Sequence, residues 1–99
     1  MYEKIMDRIS YSDGGILSKE IIKKDNLNVT LMSMAQGTEL SEHTSTRQGT
    51  VYVVEGKGVF NLEGEDIKME PGVLIYMKAN MRHSLIAEEN TSFILSLVE

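Results

Sequence analysis

Short runs of β-branched and large apolar residues, broken every eight to twelve positions by glycine, asparagine or acidic residues, extend along the whole chain. This is the rhythm of strands and turns. Residues two apart share a strand face, whereas an amphipathic helix needs apolar positions three and four apart. The pattern predicts eight strands: Ile16 to Lys23, Leu27 to Ala35, Val51 to Glu55, Val59 to Leu62, Ile67 to Met69, Val73 to Met77, Ser84 to Ala87 and Ser92 to Val98. Turn signals separate them, most clearly Glu70-Pro71-Gly72, where proline presets the second position of a type II turn and glycine supplies the third. The expected fold class is all-β, a small antiparallel sandwich or barrel. Only residues 1–10, with Ile5, Met6 and Ile9 at helical spacing, suggest a short helix or docked arm.

Alternation along Thr50 to Val54 places Val51 and Val53 on one face, with Thr50, Tyr52 and Val54 on the other. Both faces are apolar enough to be covered. One is expected to line the interior, while the other meets a neighbouring sheet or a second subunit.

Ninety-nine residues, 41% apolar and 25% charged, fit one globular domain spanning 1–99. A chain this short buries a thin core, so pairing into a homodimer is expected. Ten basic against fifteen acidic residues give a net charge of −5, the wrong sign for binding nucleic acid through its phosphates. With no cysteine there is no disulfide framework, thiolate zinc site or cysteine nucleophile. No apolar run reaches the length needed to cross a bilayer, and residues 1–10 carry Glu3 and Asp7 in place of a continuous hydrophobic segment, so the expected location is cytoplasmic, with no membrane partner.

Only two histidines occur, and their spacing to glycines carries the chemistry. His43 follows Gly37 after five residues and precedes Gly56 by thirteen positions; His83 follows Gly72 by eleven. These intervals resemble the two signature motifs of the cupin superfamily, here at 37–56 and 72–87. The strings Leu40-Ser41-Glu42-His43-Thr44 and Met77-Lys78-Ala79-Asn80 followed by His83-Ser84-Leu85 are similar to a subgroup of small single-domain cupins with one histidine per motif. The resemblance implies a small antiparallel β-barrel, a double-stranded β-helix or jelly roll, whose flanking strands complete the fold.

In the family's metal-binding members, three histidines and one glutamate hold the ion. Here Ser45 stands for the second histidine and Gly49 for the glutamate, while Lys78, Asn80 and Ala87 depart from the second motif. What the resemblance leaves is His43 and His83 as ligands of a weakly held divalent ion (Zn, Ni, Cu, Mn or Fe), with Gln48 as an added carbonyl oxygen. Otherwise the two are inherited positions hydrogen-bonded to each other, to backbone or to water.

The implied interior is a mainly apolar pocket lined by Val51, Val53 and Leu85, the usual form of a small-molecule site. Two functions follow: a binding module for a small organic ligand or a weakly held metal, or a metal-dependent enzyme of the dioxygenase or isomerase type using His43 and His83. Arg47 and Arg82 are candidates for recognising an anion at the barrel mouth or plain surface charges. Met32, Met34, Met69 and Met77 suit core filling or an adaptable pocket, and Tyr52 and Tyr76 suit a dimer face or a ligand wall.

Overall fold

Nine antiparallel strands follow a single turn of 3-10 helix (Ile5–Arg8) in a computed structural model that describes residues 1–99. The strands are β1 (Ile16–Lys24), β2 (Leu27–Met34), β3 (Glu39–His43), β4 (Gln48–Glu55), β5 (Gly58–Leu62), β6 (Glu65–Met69), β7 (Leu74–Met77), β8 (His83–Ala87) and β9 (Thr91–Val98). They form a five-stranded sheet in the order β1-β2-β9-β4-β7 and a four-stranded sheet in the order β3-β8-β5-β6. Strands β2 to β9 make the eight-stranded jelly roll, and β1 adds an edge to the larger sheet. The two ladders are separate, so the expected barrel is realised as two facing sheets rather than one closed cylinder. No helix is long and apolar enough to cross a membrane.

Eight of the nine strands fall where the apolar pattern predicts them. The ninth, β3, was not expected: Leu40 is its only apolar residue, so it has no alternation to read. Strand β4 also begins earlier, at Gln48 rather than Val51.

The core lies between the sheets. Val51, Val53, Ile75, Met77, Met34 and Phe93 face inward from the larger sheet, and Phe60, Met69, Leu85 and Ala87 from the smaller; all are buried. Fully burying side chains of this size stabilises by about 1.5–3 kcal/mol each, offset by the entropy of ordering the chain.

The larger sheet also buries part of its outer surface. Leu31, Ser33 and Ser92 lie on that side and are buried, and residues of the first segment hydrogen-bond to its elements. Lys19 Nζ donates to the Arg8 carbonyl at 2.6 Å and to Ser10 Oγ at 2.9 Å. The Tyr11 hydroxyl reaches Glu55 Oε2 at 2.6 Å and Ser92 Oγ at 2.7 Å, and Ser92 in turn meets Ser33 at 2.9 Å. Simple alternation would turn Glu55 inward with Val51 and Val53. A bulge between Val53 and Glu55 instead sets Glu55 opposite Ser92, on the outer face where Tyr11 waits. Burial and the adjoining carboxylate push the Tyr11 pKa up to about 12, so its hydroxyl stays a donor at any working pH.

Tyr11→Phe should therefore lower the urea-unfolding free energy by about 1–2 kcal/mol, the worth of a partly buried hydrogen bond to a charged acceptor. An unchanged midpoint would mean that the arm does not contribute to stability.

Candidate functional site

His43 and His83 meet because β3 pairs with β8. The register runs Leu40 opposite Leu85 and then His43 opposite His83, three residues on β3 against two on β8. That extra residue is decisive. In a regular strand Leu40 and His43, three apart, would point to opposite faces; the bulge brings both to the inner one. On β8 regular alternation suffices, with His83, Leu85 and Ala87 all inward and buried.

The rings sit with centroids 4.1 Å apart at 63° to one another, edge to face. His83 also lies parallel to Phe60, 3° between planes and 5.8 Å between centroids. Each imidazole is held by a carbonyl two residues before it: His43 Nδ1 donates to Ser41 O at 2.7 Å, and His83 Nδ1 donates to Met81 O at 3.0 Å. A carbonyl only accepts, so each neutral ring carries its proton on Nδ1 and leaves Nε2 a free lone pair.

Both rings line a cavity of about 230 Å³ between the sheets. Its other walls are Met32, Leu40, Val51, Phe60, Met77, Leu85, Phe93 and Leu95. His83 is buried, and His43 is exposed where the cavity opens. No lysine, arginine, aspartate or glutamate lines the space.

Two of the three pocket residues expected from alternation, Val51 and Leu85, are walls of this cavity. Val53 points the same way but is fully buried in the core beyond the lining. Gln48 is placed elsewhere: it precedes Gly49 on β4 and so faces outward, where its Oε1 accepts a hydrogen bond from the Tyr76 hydroxyl at 2.8 Å. It lines a separate open groove with Arg47, Tyr76 and Glu99 and does not join the histidines.

Ser45 is occupied too. Its carbonyl accepts from Asn80 N at 2.6 Å, tying the loop after β3 to the loop after β7, and its Oγ accepts from Arg47 N at 3.1 Å within its own loop. Asn80 adopts φ +67°, the left-handed conformation that asparagine tolerates and that this turn needs. Arg82 pairs with Glu63 at 3.4 Å and with Glu42 at 3.9 Å, and Arg47 pairs with Glu99 at 3.4 Å, so each arginine near the motifs already faces a carboxylate. Sequence reasoning did not single out Phe60, Phe93 or Leu40 as walls; the even spacing of Phe60 within β5 and Phe93 within β9 was the available signal.

The donor set does not fit a resident divalent metal. Two imidazoles are the only ionisable or anionic groups in the cavity, and no group of three or more histidine, aspartate or glutamate side chains is placed so as to hold a metal ion. At Gly49 a Cβ would overlap the Ser96 carbonyl and crowd the Leu97 side chain, so the backbone leaves no room there for a glutamate.

Burial lowers the His83 pKa below its ordinary 6.5; the Met81 carbonyl opposes this, and the nearby His43 reinforces it. The unfolded chain therefore binds this proton more tightly than the fold does. Stability is at its full value above about pH 6.5 and falls as the pH drops below it. Wild type should lose thermal stability between pH 7.5 and 5.5, and His83→Gln should lose less over the same interval. Equal losses would show that His83 is not the group responsible.

The chain is similar to known proteins over most of its length. Residues 30–98 match the family model for the Cupin domain. A conserved Streptococcus pyogenes protein of unknown function superposes with a TM-score of 0.89 at 22% identity, covering 100% of this chain and 87% of the other. A Cupin 2 conserved barrel domain protein from Leptotrichia buccalis gives 0.88 at 32% identity, over 95% of this chain and 46% of that one. Salicylate 1,2-dioxygenase from Pseudoaminobacter salicylatoxidans, as a mutant, gives 0.80 at 20% identity over 85% and 26%. No curated protein matches.

Proposed function

This chain belongs to the cupin superfamily, and from that premise we propose that it is a binding module that holds a small organic molecule between its two sheets. The observation that carries this reading is the cavity: about 230 Å³, eight apolar walls, and two imidazoles as its only polar groups. Concave, mainly apolar spaces with a few fixed polar atoms are the usual form of small-molecule sites. The apolar walls supply binding through desolvation, and the Nε2 atoms set orientation.

A divalent ion here would have two neutral ligands and no anionic partner. In apolar surroundings its charge would go uncompensated, which places any such ion on the weak side of metal binding. The arginines flanking the motifs are engaged by carboxylates, which argues against anion capture as the main role.

One-ring fragments observed by saturation-transfer NMR should bind the wild type and lose binding in Leu40→Trp, where the larger side chain occupies the space from the edge strand. Fragment binding that survives this substitution in a folded protein would place the site elsewhere. Stoichiometric iron, nickel or manganese in the purified protein, absent from His43→Ala, would replace the reading with a metal-dependent enzyme of the dioxygenase or isomerase type.

We also propose a homodimer through the outer face of the larger sheet. Tyr52 and Leu74 are register partners there, Tyr76 lies beside them, and all three are exposed. Apolar and tyrosine-rich surface of this kind is characteristic of interface centres. Sedimentation velocity should give twice the chain mass for the wild type and the single-chain mass for Tyr52→Glu combined with Leu74→Glu; a monomeric wild type at micromolar concentration overturns the assignment.

A further inference from the structure

We infer that the ligand of this cavity is a neutral molecule with a one-ring apolar body and an O–H donor, phenol-like in chemistry, directed at the two free Nε2 atoms. The inference rests on the binding-module reading above and adds the chemical class of the occupant.

Three observations limit that class. The first is size. An apolar cavity of roughly 150 Å³ accepts benzene, so about 230 Å³ accommodates one ring with a small substituent. The second is charge: no cationic or anionic side chain lines the space, so an ionised guest would be desolvated without a partner. The third is hydrogen-bond polarity. Both Nδ1 atoms are committed as donors to the Ser41 and Met81 carbonyls, so each neutral ring offers the cavity an acceptor and nothing else.

A guest with only acceptor atoms leaves both lone pairs unpaired, at a cost comparable to a lost hydrogen bond. An O–H donor satisfies one of them, and the two rings, with centroids 4.1 Å apart, put both imidazoles at the same end of the cavity. Phe60, stacked on His83, and Phe93 supply flat apolar walls for the ring, with the Met32 and Met77 thioethers adapting to its edge.

Phenol, toluene and benzoate separate the terms. They share one ring but differ in bearing a neutral donor, no polar group or a charge. Binding is followed at pH 7.5 by NMR titration, reading the imidazole nitrogen resonances together with affinity. Phenol should bind the wild type and move the Nε2 resonances; toluene should bind without moving them; benzoate should bind at least tenfold more weakly than phenol. In His43→Leu, at the exposed mouth, and in His83→Leu, phenol affinity should fall about tenfold while toluene affinity holds or rises. Circular dichroism checks that each variant folds, and His43→Leu carries the test if His83→Leu does not.

Equal effects of the substitutions on phenol and toluene, or benzoate binding as tightly as phenol, would overturn the ligand class and leave the cavity as a binding site. Failure of all three probes to bind the wild type would overturn the binding-module reading as well.

Discussion

One extra residue in an edge strand brings the two histidines of this protein together. Without the bulge between Leu40 and His43, β3 would turn either the leucine or the histidine to solvent, and the cavity would lose a wall or half of its polar end. The pairing of β3 with β8 does the rest, setting two imidazoles from distant motifs in direct contact. Backbone carbonyls then fix which nitrogen of each ring is spent and which is left over. Local hydrogen bonding thereby converts two ambivalent side chains into a pair of acceptors.

The surrounding packing suits that pair. The jelly roll buries its apolar residues between two sheets, and the space left near the mouth is bounded by aromatic rings and thioethers rather than by charge. Charged residues close to the motifs are held on the outside by ion pairs, Arg82 with Glu63 and Glu42, and Arg47 with Glu99. A second bulge, before Glu55, does comparable work on the opposite surface by presenting a carboxylate to Tyr11. Both irregularities redirect one side chain that simple alternation would have sent the other way.

Much of the fold could be read from the chain because its buried strands alternate cleanly: Val51 and Val53 against Tyr52, or Leu85 and Ala87 against Ile86, announce an inner and an outer face. Strand β3 could not be read, since Glu39-Leu40-Ser41-Glu42-His43 is mostly polar and lies at a sheet edge where nothing covers its outer side. The approach of His43 to His83 was implied by motif spacing, but the bulge that accomplishes it leaves no trace in a two-residue period. The same limit applies to Gln48: near the histidines in order, it lies one position from an inward-facing glycine and so belongs to the other face. The resemblance to known motifs thus pointed to the two histidines, and backbone irregularity decided which residues stand beside them.

The crowding at Gly49 limits what a substitution there can add. An anionic side chain cannot simply be substituted at that position, because the neighbouring strand already occupies the volume it would need. A glutamate at this position would require β9 to shift away from β4. The apolar walls carry no such backbone clash, so volume-conserving exchanges among them are the changes this scaffold tolerates best.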